Sequence, residues 1–180
     1  AFGVQVSHTS WLMHEYTTMQ RLYRWGADVP RPYAAGGNAV LMGYLGDEAQ
    51  AAPTLSEVDL GPDEPERLFD QVMDNINLML SHGLIHGDLS AYNLLYWQGR
   101  LSIIDWPQVT FAEANSRARF IFDRDVERVC QYFAGQGVRC DAPSLAEEIW
   151  LRHIGDRTEE QALEARLMLD RRQARNADDD

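Results

Sequence analysis

The chain has 180 residues, 45% of them hydrophobic and 24% charged, which suits one globular domain with a sizeable core. Its net charge of −12 repels phosphate backbones, so direct nucleic-acid binding is not expected. No apolar run approaches the ~20 residues that span a bilayer, and the opening residues lack a basic-then-apolar leader pattern, so the expectation is a cytoplasmic protein without membrane contact.

In chain order, Ser10 to Gly26 reads as a helix, because Leu12, Met13, Tyr16, Met19, Leu22 and Tyr23 recur at helical spacing and Gly26 supplies a stop. Val29-Pro30-Arg31-Pro32 is extended, since each proline turns its predecessor away from the helical region. Gly36-Gly37-Asn38 reads as a turn and Ala39 to Tyr44 as a short buried strand. A loop rich in alanine, proline and acid runs from Glu48 to Pro65. Asp63 is expected to cap the next helix, with Pro65 in its first turn. That helix carries the stripe Leu68, Phe69, Val72, Met73, Ile76, Met79 and Leu80, continues to about His82, and is closed by Gly83. Leu84-Ile85 leads into a polar loop from His86 to Asn93. Leu94 to Trp97, the turn Gln98-Gly99 and Leu101 to Ile104 form a predicted β-hairpin. Helices are expected over 116–134, 143–154 and 158–175, with 176–180 disordered. The fold class is therefore mainly α with a small β-hairpin.

Two features of composition bear on chemistry. All 16 basic residues are arginine, which excludes any mechanism that draws a lysine from these residues. Cys130 and Cys140 show neither metal-site spacing nor a disulfide framework, and Cys130 reads as buried core.

The polar loop His86-Gly87-Asp88-Leu89-Ser90-Ala91-Tyr92-Asn93 is where reactive groups concentrate. Asp105 follows the apolar end of the hairpin, and a hairpin brings its two ends together, so Asn93 and Asp105 should be neighbours. An amide oxygen beside a carboxylate is a hard-oxygen site suited to Mg²⁺ carrying phosphates. Asp88, on the same loop, is placed to accept a proton from an attacking hydroxyl, the arrangement used in phosphoryl transfer. A lone loop Asp or Asn is ordinarily a turn or cap residue. The joint spacing, a His-x-Asp-x-x-x-x-Asn loop followed by a hairpin and Ile-Ile-Asp, matches a kinase catalytic loop and its metal-binding Asp.

With those residues in place, the chain resembles the RIO-type atypical protein kinases over about Trp11 to Gly137. The family loop typically reads His-x-Asp-Leu-Ser-x-Tyr-Asn, and its metal strand Ile-Asp-x-Pro-Gln; here they are His86 to Asn93 and Ile104-Asp105-Trp106-Pro107-Gln108. The resemblance implies a protein-kinase-like C-lobe (α+β) over 46–176 and an incomplete N-lobe over 1–45, with a tail at 177–180. It implies an ATP-dependent Ser/Thr kinase or ATPase acting on an unknown protein acceptor. Asp88 would be the base, and Asn93 and Asp105 the ligands of Mg²⁺, for which Mn²⁺ can substitute. Ser90 would stand near the γ-phosphate. Glu15 would pair with an ATP-binding lysine, and the backbone around Met42, Tyr44 and Gly46 would hold adenine. His86 would brace the loop, and Asp105 would itself become phosphorylated in an ATPase-like cycle. Asp88, Asn93 and Asp105 equally suit an aminoglycoside- or choline-type phosphotransferase, against which Leu89-Ser90 and Pro107-Gln108 argue. The absence of lysine suits a non-catalytic kinase-like binding module.

The match departs from a complete kinase in two parts. A glycine-rich phosphate loop and a strand lysine belong ahead of the Glu15 helix, and neither is found there. These 180 residues alone are expected to be a weak kinase.

Overall fold

The computed structural model describes residues 2–37 and 39–155, with side chains from residue 12 onward. The helix expected over 158–175 and the tail beyond it lie outside the described residues.

Helix α1 spans Phe2–Trp25, starting well before the expected Ser10. Met19 and Leu22 are buried along one side. Gly26 ends the helix at φ 89°, a left-handed conformation that glycine adopts without steric cost. Trp25 stacks on His82, the ring centroids 3.7 Å apart, which fastens the end of α1 to the end of the next helix. Strands β1 (Pro32–Gly36) and β2 (Ala39–Met42) form an antiparallel pair. The sequence suggested a buried strand over Ala39 to Tyr44. The pair is instead largely exposed: α1 packs against it, yet Leu41 is 62% accessible and Tyr44, just beyond β2, 67%.

Helix α2 (Pro65–Ser81) is the centre of the core, burying Leu68, Val72, Met73, Ile76, Met79 and Leu80. The spacing of four from Leu68 to Leu80 lays one continuous stripe. Each such side chain contributes about 1.5–3 kcal/mol relative to exposure. Asp63 does not cap this helix: Glu64 occupies the cap position, and its Oε2 accepts from the Gly61 N–H at 2.8 Å. Asn75 is buried inside the stripe with its hydrogen bonds met. Its Oδ1 accepts from the Asp28 N–H at 2.7 Å and its Nδ2 donates to Asp28 Oδ2 at 2.8 Å. Asp28 in turn accepts from the Ile103 N–H at 2.7 Å, so this buried amide joins the segment after α1 to the hairpin.

The hairpin forms as expected. Strands β4 (Leu94–Trp97) and β5 (Arg100–Ile103) pair from Leu94↔Ile103 to Trp97↔Arg100, turning at Gln98 and Gly99, both at positive φ. A second ladder was not anticipated: β3 (Leu84–Ile85) pairs antiparallel with β6 (Thr110–Phe111). Helices α3 (Ala118–Gly135) and α4 (Ala142–Trp150) pack on each other and on α2. A π-helical turn, Leu151–Gly155, ends the described chain. Asp141 caps α4, its Oδ2 accepting from the Ser144 hydroxyl at 2.7 Å.

One reading is overturned here. Cys130 on α3 and Cys140 are joined as a disulfide, with Cα atoms 5.6 Å apart and a sequence separation of 10. The tight return after α3, with Gly137 at φ 92°, folds the chain back onto the helix and brings the two together. No helix among the described residues is long and apolar enough to cross a membrane.

Candidate active site

Two short ladders hold two loops side by side. Residues 86–93 run from β3 to β4, and residues 104–109 run from β5 to β6. Since β3 pairs with β6 and β4 with β5, both loops are clamped at both ends. Cross-links finish the arrangement. The Ile104 N–H donates to Asn93 O at 3.0 Å, which brings the Asn93 backbone within one residue of Asp105, as the hairpin argument required. His86 Nε2 lies 3.0 Å from Ile104 O, while the Asp88 N–H points to His86 Nδ1 at 3.2 Å. Those partners fit the neutral tautomer with hydrogen on Nε2. Burial pushes the His86 pKa below its ordinary value, which keeps the ring neutral. His86 is therefore a brace between the two loops.

Gly87 is needed where it stands. Its φ is 88°, and a Cβ there would meet Gln108 O at 2.2 Å. The two loops touch at this point, and only a residue without a side chain fits. Asn93 Nδ2 donates to Asp88 O at 2.8 Å, which fixes the amide and commits its nitrogen, so that Oδ1 is the atom that could ligate a metal. Ser90 accepts from the Asn93 N–H at 3.0 Å through its carbonyl. Asp105 is exposed and holds φ 71°. Left-handed backbone at a non-glycine costs about 1–2 kcal/mol and gathers at functional sites.

Glu15, half-buried on α1, lies against this corner. Its pKa is pushed up by burial first and by the charge of Asp105 second, and a hydrogen bond from the Trp106 N–H partly opposes the rise. Met42, Tyr44 and Gly46 are placed apart from the loop. Met42 ends β2 and Tyr44 and Gly46 follow it, and the chain past them is tied to the hairpin by the Tyr96 N–H donating to Pro53 O at 2.9 Å. Among the described residues no hydrogen bond joins these three to residues 86–93.

The loop is held from beneath by α3. Asp125, 3% exposed, accepts from the Gly87 N–H at 2.7 Å through Oδ2 and also from the Leu89 N–H. Its Oδ1 is buried without a hydrogen bond, the Arg124 guanidinium being 3.7 Å away. Burial raises its pKa to about 6 against the pull of those donors and of Arg124 and Arg128. Arg124 also donates to Gly87 O. Arg128 Nη1 donates to Asp88 Oδ1 at 2.5 Å. Sequence reading missed both roles. Asp125 had a signal, an acid on the inward stripe of α3 between Phe122 and Val126, where an unpartnered carboxylate is too costly to keep. Arg128 had none.

The donor set suits a hard cation. Among the described residues no three His, Cys, Asp or Glu side chains gather to cage a metal. An Asn oxygen and one carboxylate instead match Mg²⁺, which keeps waters and substrate phosphates among its ligands. A clamped pair of loops that carries an Asp, an Asn and a second Asp, and is held from beneath by a helix, is the arrangement of a protein-kinase-like lobe. The RIO domain model matches residues 3–145, and the chain belongs to the RIO domain family. It is 33% identical over 138 residues to the RIO-type serine/threonine-protein kinase Rio1 of Haloferax volcanii, covering 77% of this chain and 47% of that one. It is 30% identical over 139 residues to the protein of the same name from Thermoplasma acidophilum, covering 77% and 72%. In structure it resembles the Rio2 kinase of Chaetomium thermophilum, solved as an ADP/Mg²⁺-phosphoaspartate complex. The TM-score is 0.63 at 26% identity, over 79% of this chain and 45% of that one. The chain thus spans about half the length of the Haloferax and Chaetomium relatives.

Proposed function

We propose that this chain carries the catalytic loop and metal site of a RIO-type Mg-ATP phosphotransferase, a Ser/Thr kinase or ATPase. In this reading residues 1–45 belong to the nucleotide-covering lobe and 46–176 to the catalytic lobe. The observation that supports it most is the clamped pair of loops: Asn93 is fixed by Asp88 and bonded through its backbone to Ile104, next to Asp105 in its left-handed conformation.

The residues divide the work as follows. Asp88 accepts the proton of the acceptor hydroxyl as that oxygen attacks the γ-phosphorus and ADP departs. Its carboxylate is half-exposed, so an acceptor can reach it. Asn93 and Asp105 hold Mg²⁺, which when bound offsets the charge of the β- and γ-phosphates. His86 and Gly87 keep the two loops in contact and Asp125 anchors the first of them to α3, so that little rearrangement is left for the reacting state. Met42, Tyr44 and Gly46 are assigned to adenine, Ser90 to the γ-phosphate side, and Glu15 to pairing with an ATP-binding lysine. Asp105 is also the candidate phosphoryl acceptor in an ATPase-like cycle.

The test is calorimetric titration of Mg-ATP into this chain and into Asp105→Ala. Binding by the parent that is lost in the variant is the expected result. Equal binding by both would remove Asp105 from the metal site. If neither binds, the same titration on the product of the whole coding region decides, and failure there refutes the proposal.

A further inference from the structure

The groups that gather at the loops are nearly all anionic or neutral. Asp88, Asp105 and Glu15 bring carboxylates, and the chain holds no lysine. A transferring phosphoryl group adds negative charge that must be met by something positive besides a metal ion. Among the described residues two cations lie at the loop, both on α3. Arg124 is committed: it donates to Gly87 O, sits beside Asp125, and its Nε is buried. Arg128 is not. Its Nη1 donates to Asp88 Oδ1 at 2.5 Å, its side chain is 39% exposed, and its remaining donors make no hydrogen bond among the described residues.

As a structural tie this pair is poor value. A half-exposed ion pair is worth about 0–1 kcal/mol, while the buried Asp125 already anchors the same loop through two backbone N–H groups. The geometry suits another task. Asp88 takes the acceptor hydroxyl on its free oxygen Oδ2, and the phosphorus lies one bond beyond that hydroxyl oxygen. A guanidinium whose Nη1 is fixed on Oδ1 presents its other N–H groups in the same planar fork, a shape that matches phosphate oxygens.

We propose that Arg128 is a catalytic residue that hydrogen-bonds the phosphoryl group in flight while holding the Asp88 carboxylate toward the acceptor. This rests on the reading of Asp88 as the base. The bond from the acceptor oxygen to the γ-phosphorus forms as the bond to the β,γ-bridging oxygen breaks. That electron pair leaves with ADP, and the hydroxyl proton passes to Asp88. Arg128 stays protonated throughout.

The test compares binding of Mg-ADP alone with Mg-ADP plus aluminium fluoride, a mimic of the phosphoryl group in transfer, by calorimetry. It is run on the parent, Arg128→Ala and Arg128→Lys, both as the 180-residue chain and as the product of the whole coding region. The parent is expected to bind the aluminium fluoride complex more tightly than ADP. Arg128→Ala should leave ADP affinity within about twofold and lose at least about tenfold of the aluminium fluoride enhancement, with kcat down about 10²–10³-fold, as for loss of one transition-state donor. Arg128→Lys should keep part of both, and millimolar guanidinium should restore part of the Arg128→Ala loss, which a purely structural arginine would not show. An Arg128→Ala protein that keeps the enhancement, or a folded parent that gains nothing from aluminium fluoride, overturns the proposal. Should Asp88→Ala retain full turnover, the reading of the base fails instead, and Arg128's role with it.

Discussion

Asp125 offers a quantitative check on how α3 holds the loop. Its carboxyl rises from an ordinary 3.8 to about 6 because burial outweighs the Gly87 and Leu89 N–H donors and the two arginines. A carboxyl whose folded pKa is raised binds more protons folded than unfolded, so it stabilises fully below about pH 3.8 and loses that contribution as pH rises through about 6. At ~1.4 kcal/mol per pH unit the loss is about 3 kcal/mol by pH 7. Asp125→Asn removes the titration while keeping an oxygen for the Gly87 N–H. Urea unfolding of both proteins at intervals from pH 4 to pH 8 gives the difference, in which every other titrating group cancels. The stability of Asp125→Asn relative to the parent should climb by about 2.4 kcal/mol across this range, most steeply between pH 4 and 6. A flat difference, or one that favours the parent as pH rises, would refute the claim that desolvation dominates at this position.

Two further outcomes follow from the geometry. Gly87→Ala forces a Cβ to within 2.2 Å of Gln108 O at a φ of 88°, so its urea midpoint should drop by at least about 2 kcal/mol; a parent-like midpoint would mean that the two loops do not touch there. The Cys130–Cys140 bridge closes a loop of ten positions, worth roughly 3 kcal/mol in the chain-entropy account. Protein purified without reductant should show no free thiol, and reduction or Cys140→Ser should lower stability by about that amount; two titratable thiols in unreduced protein would contradict the bridge.

Much of the fold was legible because local pattern and tertiary need agreed. The stripe of α2 and the Gln98-Gly99 turn are short-range signals, and the structure reproduces them. The Asp88, Asn93 and Asp105 spacing was readable because loop and hairpin lengths fix which ends meet. What failed depended on partners distant in sequence. The exposure of β2 depends on what packs beside it, and Ala39 to Tyr44 alone carries the pattern of a covered strand. The β3–β6 ladder has two residues per strand, too few for any periodicity. The buried place of Asn75 in α2 rests on Asp28, 47 positions away, which nothing near it in sequence announces. The cysteines were passed over because pairing requires the tight return at Gly137, which spacing does not reveal.

Helix α3 reaches back 37, 38 and 40 positions to hold the loop through Arg124, Asp125 and Arg128. Such long-range closures form only after their loop entropy has been met by other contacts. During synthesis the hairpin can pair as soon as it emerges, but Asp88 has no carboxylate beneath it until α3 has followed and docked. The order of assembly therefore sets residues 86–93 late, and local opening of α3 would release them while leaving every residue of the loop chemically intact.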